Sequence, residues 1–305
     1  MTDPVAHAYD RVRAAIETAV LPGSPLATPV RQWLTDQPLP PSLLLPIAAA
    51  GATTPPAVAL AASMAFLLLV MRWLDDLIDR DRDNQLQQTY GDGGAAVLSA
   101  SALTHAWACL AREPGVPRDV LSGFGEMTAV LALGEATDHA DPPRTVAAWQ
   151  QTAWRKTAVC FRHALWSGAR LTGDAHWTAE ATTYGTQLGL YLQAVDDIQG
   201  TFTDDAPDLR RGRTHTLPLV ELLPEMPDAV DTFNRRETGK LLAAMAEHDI
   251  RQRCESRAAA YANQAQAALD RCPGPWISAC AGLLPALTCT AHHQGDQAHP
   301  YGRWK

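Results

Sequence analysis

The sequence predicts an all-α fold, a bundle of about ten helices formed as a single domain over residues 1–305. Three observations predict it. Hydrophobic residues make up 47% of the chain, enough for a sizeable buried core. No stretch alternates apolar and polar residues as a half-buried strand would, and no short-period repeat is present. Apolar runs of helical length recur instead, separated by the proline, glycine and aspartate clusters that end helices.

Val5 to Val20 reads as the first helix, closed by Leu21-Pro22-Gly23 with Pro25 beyond. Pro38-Leu39-Pro40-Pro41 then punctuates the chain ahead of an apolar run from Leu43 to Ala50. Pro55-Pro56 opens a long helix, since proline is tolerated in a first turn. That helix ends in Asp75-Asp76-Leu77-Ile78-Asp79. Gly91-Asp92-Gly93-Gly94 introduces the next helix, which runs through Leu110, and Val120 to Ala136 follows, broken by Asp141-Pro142-Pro143. Trp149 to Leu171 is a long helical stretch carrying Arg155-Lys156-Thr157, and Trp177 to about Ile198 holds Gln193 and Asp196-Asp197. A polar segment, Thr201 to His215, leads into Thr216-Leu217-Pro218-Leu219. Helices near Thr232 to His248 and Glu255 to Leu269 precede a last apolar one ending near Thr290. The motif-bearing core spans about 40–290, and the polar tail over 291–305 reads as a mobile end or lid.

The net charge of −8 argues against a nucleic-acid surface, which needs basic patches. Lysine occurs only at Lys156, Lys240 and Lys305. Six cysteines without C-x-x-C spacing read as reduced, mostly buried thiols of a cytoplasmic protein. The N-terminus lacks the apolar core of a signal peptide. Ala57 to Met71 is uncharged, but its 15 residues fall short of the roughly 20 that span a membrane, so it reads as a buried core helix and no membrane span is expected.

Chemistry concentrates in the aspartates. Asp75 and Asp79 are four apart, so a helix places both on one face. Like charges there repel unless a divalent cation lies between them. One or two carboxylates, with water and phosphate completing the shell, is the usual Mg2+ arrangement on a phosphorylated substrate. Asp196-Asp197 reads as the second half of one metal site.

These residues resemble the motifs of the trans-isoprenyl diphosphate synthases, the polyprenyl synthetase family. Asp75-Asp76-Leu77-Ile78-Asp79 resembles the first aspartate-rich motif. Gly185-Thr186-Gln187-Leu188-Gly189, with Gln193 and Asp196-Asp197, resembles the approach to the second. Between them, Gly134-Glu135-Ala136-Thr137-Asp138 is similar to the family's G-Q-x-x-D, Lys156-Thr157 to its Lys-Thr pair, and Asp208 to Pro218 to its D-x-x-x-G-K-x-T-L-P loop. Order and rough spacing hold from about 40 to 220.

The resemblance implies the isoprenoid synthase fold around a central cavity, shared with class I terpene cyclases, and a homodimer. It implies that Asp75 and Asp79 bridge Mg2+ to an allylic prenyl diphosphate. Asp76 stands with them as a catalytic candidate, and Asp196, with Asp197, holds further metal from the opposite helix. Lys156, Gln193, Arg211 and Arg213 are then the diphosphate contacts. Roughly three Mg2+ ions with these cations would neutralise the leaving diphosphate. The resulting carbocation needs a dry, aromatic-lined cavity, and Trp73, Trp154 and Phe161 lie near the motifs.

Departures from the family shape the expected activity. Chain-elongating members carry G-K-x-x-R-P upstream of the first cluster, to grip isopentenyl diphosphate. That window here reads Thr35-Asp36-Gln37-Pro38-Leu39-Pro40, and no lysine precedes Lys156. The R-R-G after the first cluster is replaced near Asn84-Gln85-Leu86, with Arg80 and Arg82 at another offset. The last aspartate of the second cluster is Gly200, and the loop's Gly-Lys is Gly212-Arg213. The sequence therefore points first to a Mg2+-dependent terpene synthase that ionises one allylic diphosphate and cyclises or quenches the cation. A divergent prenyl diphosphate synthase using other arginines is the alternative, and a non-catalytic regulatory subunit of such a synthase the third reading.

Overall fold

The computed structural model describes residues 4–20, 22–36, 40–79, 85–211 and 216–272. They fall into two compact units. The first holds the described chain up to Ser122 together with Ala164–Thr178, and the second holds Gly123–His163 and Ala179–Cys272. Among the described residues there are fourteen α-helical segments and no strand, so the all-α expectation holds.

In the first unit, α1 (Pro4–Ala19) buries Ala8, Val12 and Ile16, a stripe at four-residue spacing. α2 (Ala27–Asp36) buries Val30 and Leu34. This helix is not among the elements the sequence predicts, being short and hemmed by Pro22, Pro25 and Pro38. A 3-10 turn (Pro41–Leu44) runs into α3 (Leu45–Ala50), closed by Gly51 in the left-handed conformation at φ 66°. α4 (Pro55–Asp79) is apolar nearly all round, as a helix enclosed by others must be; Ala61, Ala62, Ala65, Phe66 and Leu69 are at most 1% exposed. α5 (Gln85–Ala111) packs along it, with Ser63 Oγ donating to Ala106 O at 2.8 Å. The predicted glycine-rich helix start survives as a break inside α5, where Gly91 takes φ 67°. Trp177 Nε1 donates to Ala49 O at 2.8 Å, tying the Ala164–Thr178 segment to α3.

The second unit is laid out around two long helical runs. α6 (Arg118–Ala140) leads to α7 (Val146–Ala153), whose N-cap Thr145 accepts from Ala148 N at 3.1 Å. α7 continues through a π turn, Trp154–Ala158, into α8 (Val159–Arg170). α9 (Ala175–Phe202) lies against this run with almost no space between backbones. A Cβ at Gly185 would stand 2.6 Å from Phe161 O, and one at Gly189 would stand 2.9 Å from Ala158 Cβ. The short α10 (Pro207–Arg211) and α11 (Leu217–Leu222) follow, then α12 (Ala229–Asn234), α13 (Thr238–Glu247) and α14 (Ile250–Asp270). The single helix expected over Thr232 to His248 is split at Arg236 (φ 58°), and Asp249 (φ 52°) starts α14 earlier than expected. The apolar helix expected to end near Thr290 and the tail over 291–305 lie outside the described residues.

Among the described residues, two helices are long and apolar enough to cross a membrane, Pro55–Ile78 and Leu86–Ala111; of their most apolar windows, 67% and 33% are buried inside the protein.

Candidate active site

In the first unit the site residues stand at the end of α4. The helix buries its apolar length, Trp73 included at 7% exposure, and its last turn emerges with Asp75 and Asp76 half-buried. Trp73 is thus buried along this helix. Asp79 closes the helix; its side chain lies outside the described residues.

In the second unit the predicted residues form two connected groups. Lys156 sits in the π turn, where an extra residue turns the following side chains by roughly 100°. Its Nζ lies 2.7 Å from Asp138 Oδ2 and 3.1 Å from Glu135 Oε2, both on α6. Burial works against the ammonium, but the two carboxylates outweigh it and hold the Lys156 pKa above its ordinary value. Asp138 is buried and the Lys156 side chain is 22% exposed. Gly134 faces the π turn directly: a Cβ there would stand 2.8 Å from Arg155 Cβ.

The other group centres on Asp197, which is 5% exposed. Its Oδ2 accepts from Trp149 Nε1 and from the Leu217 backbone N–H, both at 2.7 Å. Its Oδ1 accepts from Gln193 Nε2 at 2.8 Å, while Gln193 Oε1 accepts from Thr157 Oγ1 at 2.5 Å. Burial raises the Asp197 carboxyl, the three hydrogen bonds oppose the rise and the neighbouring Asp196 charge adds to it, which together leave it at about 6. Both oxygens of Asp197 thus face protein donors, and the amide of Gln193 is engaged at both ends. Asp196, next in the chain, is half-buried.

Sequence reasoning missed Trp149, Thr157 as the partner of Gln193, and Cys160. The Cys160 thiol is pushed up to about 12 by burial and by the Glu135 charge. Trp149 and Asp197 are 48 positions apart, and no local spacing signals such a bond. The side chain of Arg211 and the whole of Arg213 lie outside the described residues. A polar cavity of about 690 Å³ bounded by Gln187, Glu221, Arg253, Arg257 and Tyr261 contains none of the predicted residues.

The donor chemistry fits Mg2+. Asp75, Asp76 and Asp196 offer oxygen only; among the described residues no three or more His, Cys, Asp or Glu side chains group so as to hold a metal ion by themselves. Zn2+ would call for a closed shell of nitrogen and sulfur ligands, whereas Mg2+ takes one or two carboxylates and completes its octahedron with water and phosphate.

The polyprenyl synthetase family matches this chain over residues 41–217, more than half its length. The chain belongs to the polyprenyl synthetase family. Its fold is that of solved isoprenoid synthases. A decaprenyl diphosphate synthase from Rhodobacter capsulatus superposes with a TM-score of 0.85 at 19% identity, over 95% of this chain and 98% of that one. A heptaprenyl diphosphate synthase from Staphylococcus aureus gives 0.83 at 17% identity, over 97% and 100%. A polyprenyl synthase from Caulobacter crescentus CB15, complexed with calcium and isoprenyl diphosphate, gives 0.78 at 21%, over 93% and 94%. No curated protein matches the chain in sequence. Within this polyprenyl synthetase, the family match begins at Pro41, directly after the Thr35–Pro40 window in which the acceptor-gripping motif is missing.

Proposed function

We propose that this polyprenyl synthetase is a Mg2+-dependent prenyltransferase that joins isopentenyl diphosphate to a linear allylic prenyl diphosphate. The observation that carries the reading is the family match over 41–217, which takes in both aspartate clusters and the motifs between them. Solved structures of the same fold, described as decaprenyl, heptaprenyl and geranylgeranyl diphosphate synthases, support it, as does the relative complexed with calcium and isoprenyl diphosphate. The sequence reading ranked cyclisation first; this support reverses the ranking.

Asp75, Asp79 and Asp196 are the carboxylates assigned to the metal, with Asp76 beside them. Mg2+, roughly three ions when bound, supplies the positive charge that lets the allylic diphosphate leave. Asp197 is assigned the task of holding the Asp196 turn of α9 in place through Trp149 and Leu217, and not a place on the metal. Gln193 links that anchor to Thr157 and so to the π turn. Lys156 is assigned to the diphosphate oxygens, with Arg211 and Arg213 as further cations.

The second reading, a terpene synthase, is favoured by one observation: the acceptor's lysine and arginine are missing, and the family match starts just past their window. One experiment separates the two. The purified protein is incubated with C10, C15, C20 and C25 allylic diphosphates and Mg2+, with and without isopentenyl diphosphate. A longer diphosphate formed only when isopentenyl diphosphate is present supports the prenyltransferase; a hydrocarbon or alcohol formed without it makes the protein a terpene synthase.

A further inference from the structure

The short helix α11 is buried on every side: Leu217, Pro218, Leu219, Val220, Glu221 and Leu222 are all buried. One of them is charged. Glu221 is 3% exposed and breaks two local rules. A buried carboxylate is unfavourable unless it is paired and hydrogen-bonded. It also stands in the last turn of its helix, where the dipole favours a cation. A chain breaks such rules where something besides stability is served.

Both oxygens of Glu221 are met from α14. Arg253 Nη2 donates to Oε2 at 2.8 Å, while Arg257 Nε and Nη2 donate to Oε1 at 2.9 and 2.6 Å. Arg253 Nη1 also donates to Glu225 Oε1, just beyond α11, at 3.1 Å. The two arginines are four apart and so lie one turn from each other on α14. The carboxylate is gripped from two levels of that helix, which fixes α11 along it and in rotation. Apolar contacts are non-directional and give no such fix. Replacing a buried ion triad with apolar side chains is often neutral or stabilising, so stability alone is a poor reason for this one.

The other end of α11 meets the site. The first N–H groups of a helix have no partner within it, and that of Leu217 donates to Asp197 Oδ2 at 2.7 Å. Leu217 and Glu221 are one turn apart, about 6 Å along the axis, so they move as one piece.

We infer that Glu221 is a positioning residue for the reaction: held by Arg253 and Arg257, it sets the reach of α11 to Asp197 and thereby the placement of Asp196. The inference rests on the proposed function, which assigns Asp196 to the metal. Glu221 acts through Leu217 and Asp197, and a contact with substrate is not required.

The test reads exchange of the Leu217 amide by NMR beside steady-state kinetics. Glu221→Gln keeps the shape and removes the charge. Its Leu217 amide is expected to exchange about tenfold faster or more, and its kcat to fall about tenfold, with KM for the allylic diphosphate changed by less than about twofold. Loss of the charge also weakens the fold, so a second variant separates the two effects. Glu221→Met with Arg253→Leu and Arg257→Leu rebuilds the network from apolar side chains. It should melt higher than Glu221→Gln and still show the faster Leu217 exchange and the lowered kcat. If this triple variant recovers the wild-type kcat, the network serves stability alone and the inference is overturned. An unchanged Leu217 exchange rate in Glu221→Gln overturns it as well, whatever the kinetics. A wild type that converts no allylic diphosphate, with isopentenyl diphosphate or without, overturns the proposed function and the kinetic half of this inference. The Leu217 exchange rate then decides the other half, that Glu221 sets α11 against Asp197.

Discussion

Asp196 and Asp197 are neighbours of one type, and only their surroundings separate their tasks. Asp197 satisfies three donors, two of them held by Trp149 and the Leu217 backbone, so removing its carboxylate strands buried N–H groups. Leaving a buried donor unmade costs about 1–3 kcal/mol. Asp197→Ala is therefore expected to lose about 3 kcal/mol or more in urea unfolding, while Asp196→Ala changes stability little and abolishes turnover. Equal stability loss in the two would remove the division between anchor and metal ligand. A second residue-scale prediction concerns Glu135, which stands where the family's motif has a neutral glutamine. The Glu135 carboxylate lies 3.1 Å from Lys156 Nζ, and under the proposed function it would compete with diphosphate for that cation. Glu135→Gln leaves the shorter Asp138 contact to hold the lysine and frees part of its charge. The expected outcome is a KM for the allylic diphosphate lower by about threefold to tenfold, with kcat changed less, in steady-state kinetics. A KM that rises would mean that Glu135 positions Lys156 for the substrate.

At the scale of elements, the joint that matters is α9 on the α7–π–α8 run. Gly185 and Gly189, one turn apart, let the α9 backbone rest on Phe161 and Ala158, and this contact sets the reach from Thr157 to Gln193. Gly189→Ala puts a methyl 2.9 Å from Ala158 Cβ and 3.1 Å from Ala158 N, against backbone that cannot swing aside. Overpacking of this kind costs about 1–3 kcal/mol. It should also part the Thr157–Gln193 bond, so Gly189→Ala is expected to lower both the melting temperature and kcat, whereas Gly239→Ala, with open space around it, should lower neither. The two glycines were legible in the sequence as a motif, but their reason was not: close packing is a property of two segments, and the spacing of one does not reveal the other. The π turn was equally hidden. Trp149 to Leu171 reads as one helical stretch, and no glycine or proline within Trp154–Ala158 marks the extra residue.

For the whole molecule, the all-α class was legible because apolar runs of helical length repeat from Val5 to Leu269, and the first cluster was legible because α4 ends where its apolar run ends. What the sequence withheld was the internal wiring of the second unit: Trp149 to Asp197, Lys156 to two carboxylates, and Asp208 against Gly200 all join residues from different elements. The same burial has a consequence for stability against acid. His163 is 2% exposed, packed edge-on against Phe124 at 5.9 Å, and burial with the nearby Arg162 charge pushes its pKa down from 6.5 to about 3. In the folded protein the imidazole stays neutral down to about pH 3, whereas in the unfolded chain it takes a proton near pH 6.5. Between those values the unfolded state binds more protons, so acid favours unfolding. The stabilising contribution of neutral His163 is complete above about pH 6.5 and is lost progressively as the pH falls from there toward about 3. Removing the titration isolates this group from the carboxylates that titrate over the same range. The difference in unfolding free energy between wild type and His163→Gln, followed by urea titration from pH 7.5 to 4, should therefore move in favour of the variant as the pH falls. A difference that stays constant with pH would mean that His163 is protonated inside the fold, paired with an acid that offsets its burial.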